Sequence, residues 1–295
     1  MRKILVTGAR GQVGWELLRT LAPLGEVVGV DMADLDLCDA EAVRAYVRAL
    51  QPAIIVNPAA YTAVDKAEAE PDLALQVNAI APGILAAEAK RLGAWLVHYS
   101  TDYVFDGTKP GPYDEDDLPN PQSVYGKTKL AGEIAVRESG CKHLILRTSW
   151  VYGARGHNFM LTMLRLGQER EELRVVADQI GAPTWCRNLA EATAQLLTQL
   201  HSPLLDPAHA ASLSGLYHLT DGGETSWFGF AAEIIRQGLP ERAVKMIPID
   251  TGQYPLAAPR PANSRLSNQK LQQHFGLSSP AWQTALACCL ADRAR

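Results

Sequence analysis

The chain of 295 residues holds 47% hydrophobic and 20% charged side chains at a formal net charge of −4, the balance of a globular protein large enough to bury a core without staples. The mild acidity and the absence of a basic block exclude a nucleic-acid binder on electrostatic grounds, and no apolar run approaches the roughly 18 residues of a membrane span. Five cysteines, Cys38, Cys141, Cys186, Cys288 and Cys289, follow neither CxxC nor zinc spacing and read as free thiols of a cytoplasmic protein.

Met1, Arg2 and Lys3 lead into a short apolar run that Gly8, Arg10 and Gly11 interrupt at once. The run is too short for a signal peptide and reads as a first strand. Strand candidates are Lys3–Val6, 27–31, Ile54–Asn57, 96–100 and 143–147, with amphipathic helical stretches at 13–21, 41–50, 73–91 and 125–139 between them. Such alternation predicts parallel strands joined by right-handed crossovers, a Rossmann-type doubly wound α/β sheet covered on both faces. After about residue 150 the alternation loosens and Pro and Gly become frequent, with 200–215 and 252–261 reading as surface excursions. The expected division is a nucleotide-binding domain over 1–150 and a smaller, mainly substrate-binding lobe over 151–295, with segments returning to the main sheet.

Between the first strand and first helix stands a GxxGxxG string, Gly8, Gly11 and Gly14, with Gln12 and Val13 opening the helix. Glycines let the backbone turn sharply and approach a pyrophosphate, and the helix N-terminus supplies free N–H groups and a positive dipole end. A plain strand-to-helix turn is the alternative, and the string alone is weak. Asp31, closing the second strand, adds a carboxylate suited to ribose hydroxyls, which marks a dinucleotide site. Asp31 would repel a 2′-phosphate and favours NADH, whereas Arg10 could pair with that phosphate and favours NADPH. Use of either cofactor is expected. Asp36 and Leu37 would flank the adenine, or be loop polarity and a core leucine. Ala59, Ala60, Tyr61 and Thr62 follow the third strand, where small residues let a cofactor lie close or simply serve packing.

Tyr125 and Lys129 form the chain's single YxxxK, a weak motif by itself. They lie at i and i+4 of a predicted helix and so share a face. A ketone that accepts hydride needs a proton donor near neutral pH. Bringing a phenol from its usual pKa of about 10 to about 7 takes roughly 4 kcal/mol, which one cation about 4 Å away supplies at an effective dielectric near 20. Lys129 is the expected cation and a candidate partner for the nicotinamide ribose. The alternative is a surface Tyr and Lys on an amphipathic helix. Thr101, at the carboxyl end of the fourth strand, is placed to bond a substrate carbonyl, with Ser100 a near competitor. His98 reads as a packed strand residue.

Together these segments resemble the dTDP-4-dehydrorhamnose reductase family of the extended short-chain dehydrogenase/reductase superfamily. The matching stretches are GQVGWEL at 11–17, TAVDKAE at 62–68, HYSTDYVFDG at 98–107, VYGKTKLAGE at 124–133, LRTSWVYG at 146–153, DQIGAPT at 178–184 and RPANSRL at 260–266. The resemblance implies NAD(P)H-dependent reduction at C4 of a dTDP-linked 4-keto-6-deoxysugar, dTDP-4-dehydro-β-L-rhamnose, with Thr101, Tyr125 and Lys129 as the catalytic triad. It implies cofactor contacts at Gly11, Gln12, Val13, Asp31, Asp36, Leu37, Ala60, Tyr61 and Thr62, and sugar-nucleotide contacts at Thr101, Asp102 and Trp150. Trp150 would cover the apolar face of the deoxysugar or pack between lobes. Some members are described as pairing through Mg²⁺, one ligand matching Glu16. Here Arg187 stands where partners should come from, opposing a metal, and Glu191 reads as helix surface, so a monomer or weak homodimer is expected. A 4,6-dehydratase of the same fold carries Asp-Glu after its Thr, whereas Asp102 is followed by Tyr103, which favours simple reduction. An epimerase, and a non-catalytic regulatory subunit of the methionine adenosyltransferase type, are the competing readings.

Overall fold

A computed structural model describes residues 2–293. In chain order the main strands are β1 (Lys3–Val6), β2 (Glu26–Gly29), β3 (Ile54–Asn57), β4 (Trp95–Thr101) and β5 (Lys142–Thr148). Shorter strands follow: β6 (Val151–Tyr152), β7 (Glu172–Val176), β8 (Ile180–Gly181), β9 (Thr184–Trp185), β10 (Gly215–His218), β11 (Thr225–Ser226), β12 (Lys245–Ile249) and β13 (Asn263–Ser264). The helices are α1 (Gln12–Thr20), α2 (Ala40–Leu50), α3 (Val64–Ala67), α4 (Pro71–Leu75), α5 (Ala81–Leu92), α6 (Val124–Glu138), α7 (Phe159–Glu169), α8 (Cys186–Leu200), α9 (Pro207–Ser212), α10 (Trp227–Gly238), α11 (Gln269–Phe275) and α12 (Trp282–Arg293).

Among the described residues a parallel sheet runs in the order β10-β5-β4-β3-β1-β2. Its central strands are buried on both faces, as their continuous Ile, Leu and Val content requires. Leu17, Leu189, Leu197 and Phe275 pack one face and Val43, Val47, Leu85 and Ala89 the other. A further core, built on Met160, Trp185, Phe230, Ile234 and Leu286, belongs to the second half of the chain. The register sets Asn57 beside His98 and Thr101 beside Thr148, so the polar ends of several strands meet at one edge.

Two expectations need correction. The stretch read as one helix over 73–91 is α4, a π-helical turn at Gln76–Ile80, and α5. Pro82 explains the break: it offers no N–H to the carbonyl of Asn78 and crowds it, so the backbone bulges there. Residues 200–215 are not wholly a surface excursion. Asp206 accepts a hydrogen bond from His209 N at 3.0 Å and starts α9, which buries Ala210 in the sheet core together with the following Leu213.

Gly14 shows why the first turn needs glycine: a Cβ there would lie 2.0 Å from Gly8 O. Gly14→Ala must force the turn apart, costing about 1–3 kcal/mol as overpacking does. The expected outcome is a fall of several degrees in Tm, measured by thermal denaturation, with weakened dinucleotide binding by fluorescence titration.

Candidate active site

The glycine turn begins at Thr7 and swings through Gly8 at φ +57°. Gly11 then caps α1 with no side chain to occupy the helix's free N–H groups, leaving them open to an anion. Asp31 holds this turn in place, accepting from Arg10 N at 2.8 Å and from Met32 N at 2.9 Å. The carboxylate thus has a structural task while still lining the cleft beside Arg10. The cleft encloses about 730 Å³ at the carboxyl ends of the strands. Gly8, Gly11, Gln12, Val13 and Gly14 line it, as do Asp31, Asp36 and Leu37, then Ala59, Ala60, Tyr61 and Thr62, and finally Tyr125 and Lys129. An uncapped helix end, a carboxylate on the cleft wall and a long apolar trough fit a nicotinamide dinucleotide.

The catalytic candidates come from α6 and the end of β4. Ser123 accepts from Gly126 N at 3.1 Å and caps α6. A Cβ at Gly126 would fall 2.2 Å from Tyr103 O, so the missing side chain lets α6 press onto the turn after β4. That approach brings Tyr125 into edge contact with Tyr103, ring centroids 5.4 Å apart, and near the Thr101 hydroxyl. Thr101 Oγ1 also accepts from Tyr103 N at 3.2 Å and donates to Asp102 at 3.1 Å. Ser100, its competitor, is committed elsewhere: it donates to Glu133, which clamps Arg147 at 2.8 and 2.6 Å.

Lys129 is only 2% exposed. Its ammonium donates to Tyr99 O at 2.6 Å and lies 3.5 Å from His98 Nε2. Burial pushes it down to about 8, against the pull of Glu133 one turn on. Tyr125 differs from expectation. Burial pushes its phenol up to about 12, Thr101 offsets this in part and Asp102 adds to it. Lys129 donates to the β4 backbone, and burial outweighs what lowers the phenol, so the expected one-cation acidification is absent from this geometry. Asp102 is itself buried and pushed up to about 6, eased by the nearby hydroxyls of Ser264 and Thr101, of which Thr101 donates to it.

Thr101, Asp102 and Trp150 lie beyond the residues that line the cleft. Trp150 adopts φ +48°, a conformation costly for a tryptophan. Its ring stacks on Trp227 at 3.7 Å and 12°, and Gly181 packs against it without room for a Cβ. Much of the indole is therefore engaged with the second half of the chain. Glu16 does not suit Mg²⁺: its carboxylate takes Arg19 at 2.7 Å and Arg187 at 3.2 Å, and Arg187 reaches on to Asp292 at 2.8 Å. Glu191 is exposed on α8. Among the described residues no three His, Cys, Asp or Glu side chains converge as a metal site, and no helix is long and apolar enough to cross a membrane.

Sequence reasoning missed several groups. Asn78, on the π turn, accepts from Tyr61 N at 2.8 Å and donates to Thr128 Oγ1 at 3.1 Å, tying the cofactor-side loop to α6. Pro82 was the available signal. Gly156 and His157 come from beyond residue 150 to line the cleft, beside Asn158, which donates to Gln12 Oε1 at 2.8 Å. His98 is packed as expected, yet it also meets Lys129.

The chain matches the family model described as the RmlD substrate binding domain over residues 1–295. It is 50% identical to a dTDP-4-dehydrorhamnose reductase of Burkholderia thailandensis, across 98% of each chain. It is 47% identical to the enzyme of that name from Escherichia coli K12, covering 96% of this chain and 95% of the relative. The crystal structure of a dTDP-4-dehydrorhamnose reductase from Clostridium acetobutylicum superposes with TM-score 0.92 at 40% identity, across 99% of this chain and 100% of the other. That of the Bacillus anthracis enzyme in complex with NADP gives 0.91 at 39%, with the same coverage. With the whole length matched at these identities, the chain belongs to the dTDP-4-dehydrorhamnose reductase family.

Proposed function

We propose that this oxidoreductase reduces the C4 ketone of dTDP-4-dehydro-β-L-rhamnose to dTDP-β-L-rhamnose in the cytoplasm. The reading is carried by Tyr125 and Lys129 opening on the same cleft as the glycine turn. The names of the relatives support the substrate, and the NADP complex of the Bacillus anthracis relative supports a nicotinamide cofactor. When bound, NADPH or NADH supplies the hydride. Residues 1–150 hold the cofactor: Gly8, Gly11, Gln12, Val13 and Gly14 receive its pyrophosphate, Asp31 its ribose, Asp36 and Leu37 its adenine. Ala59, Ala60, Tyr61 and Thr62 lie along its length. The lobe over 151–295 mainly receives the sugar nucleotide, joined by Asp102 and the exposed part of Trp150.

Tyr125 performs the proton step. A phenol held near 12 keeps its proton at neutral pH and gives it to the ketone oxygen as hydride arrives at C4. Thr101 bonds the same oxygen and fixes it. Lys129, charged below about pH 8, stabilises the phenolate left behind until solvent reprotonates it.

Tyr125→Phe removes that proton while leaving the cleft intact. Its kcat in NADPH oxidation should fall by roughly 10²–10⁴, with dinucleotide affinity by fluorescence titration nearly unchanged. Near-normal turnover would put the acid elsewhere. Asp31→Ala should weaken NADH more than NADPH, because only the unphosphorylated ribose gains from the carboxylate; equal losses in both KM values would show that Asp31 merely pins the glycine turn. Burial depresses Lys129, so the ammonium is present below about pH 8 and lost above it. Turnover should decline along an alkaline limb there, recorded in a kcat–pH profile. With Glu16 paired to two guanidiniums, dialysis against EDTA should leave both kcat and oligomeric state as they were, checked by assay and light scattering.

A further inference from the structure

Lys129 is joined to the glycine turn by an unbroken line of buried polar side chains. Thr7, the residue before Gly8, meets the side-chain amide of Asn57 at Oδ1. Asn57 Nδ2 lies 3.1 Å from His98 Nδ1, and His98 Nε2 lies 3.5 Å from Lys129 Nζ. Asn57 and His98 are 0% exposed, and the sheet register sets them side by side on β3 and β4. A strand covered on both faces ordinarily carries aliphatic residues here. Polar groups at such depth are costly unless each finds a partner. These do, and the line ends on the ammonium.

Burial, then the charge of Lys129, keeps the His98 ring well below its usual pKa and hence neutral. A neutral imidazole has one donor nitrogen and one acceptor nitrogen. With Asn57 Nδ2 facing Nδ1, the ring hydrogen sits on Nε2 and points at Lys129, a pairing that suits an uncharged amine. With the amide turned over, Nδ1 donates to the amide oxygen and Nε2 is free to accept from an ammonium. Thr7 fits either orientation, because its hydroxyl both donates and accepts.

We infer that His98 is a positioning residue for Lys129, and that its tautomer, set jointly with the Asn57 amide, follows the charge of Lys129. Tyr99 O takes one ammonium hydrogen, His98 takes a second, and the third is left for the cleft. The remaining titratable groups around Lys129 are Tyr125 on its own helix and Glu133 one turn on, the latter fixed to Arg147 of β5. The inference rests on Lys129 being the cation of the proposed reductase.

The direct test is ¹⁵N NMR of the histidine rings in the wild-type protein, with the His98 signals assigned through His98→Gln. The expected result is the hydrogen on Nδ1 at pH 6.5 and on Nε2 at pH 9.5, the change centred where turnover declines. One tautomer across that whole range overturns the proposal. Two variants add a kinetic test. Gln reaches the depth of Nε2 and can still meet Lys129, whereas Asn stops at the depth of Nδ1. His98→Gln should keep kcat within about threefold, while His98→Asn should lose about tenfold, the scale of a lost hydrogen bond to a charged group. The alkaline limb of His98→Asn should move down by about one pH unit, with KM for the keto sugar unchanged. Equal profiles for the two amides would also overturn it. Wild-type turnover separates the two claims: an active enzyme with a fixed tautomer refutes the role of His98 alone, and a switching tautomer without ketone reduction refutes the reductase.

Discussion

An ammonium withdrawn from water loses several kcal/mol of hydration that the protein must replace with its own dipoles and charges. Lys129 is in that position, and its replacements come from separate elements. The carbonyl of Tyr99 and the ring of His98 belong to β4, Glu133 lies a turn further along α6, and Arg147 on β5 fixes Glu133 in place. Shifting β4 against β5 by one residue would turn His98 and Arg147 to the opposite faces of the sheet and leave the cation without partners. The register of the central strands is therefore tied to the charge that the site needs. Compensation is incomplete, which is why the lysine is depressed to about 8 and not held at its solution value.

Apolar packing of α8 and α11 on the sheet core joins the two halves of the chain, and polar contacts add to it near the cleft. Asn158, just before α7, donates to Gln12 of the glycine turn. Arg260, far along the second half, pairs with Asp65 of α3 at 2.6 Å, and Asp65 also accepts from Ala258 N. Through them and through Gly156 and His157, the second half of the chain comes to border the cleft.

Much of this was legible in the chain itself. Buried parallel strands write their own signature, and the residues of the glycine turn, Asp31 and the YxxxK pair are separated by spacings that a βα repeat turns into proximity. What escaped depends on contacts between distant segments. His98 looks like any strand residue until α6 sets Lys129 beside it, thirty-one positions on. Trp150 reads either as a cover for the sugar or as packing between lobes, and only the stack with Trp227 shows how far it is engaged. The π turn at Asn78 has a local cause in Pro82, but its use, joining Tyr61 to Thr128, is visible only in three dimensions. The simple Coulomb argument for Tyr125 failed for the same reason: it left out the burial that holds the proton on the phenol.

That failure bears on the direction of the chemistry. An oxidase working on an alcohol needs its phenol deprotonated at the start, and a strongly acidified tyrosine serves it. A ketone reductase needs the opposite, a group that still carries its proton when hydride arrives. Burial and the nearby Asp102 carboxylate both hold the proton on Tyr125, while in the proposed reaction Lys129, on the same helix face, would act on the anion only once it has formed. Interactions that strengthen as charge develops lower the barrier, whereas those already present in the ground state do not. The cleft thus holds a neutral acid beside a fixed cation, an arrangement whose electrostatics improve as the proton leaves, which is the order of events that reduction requires.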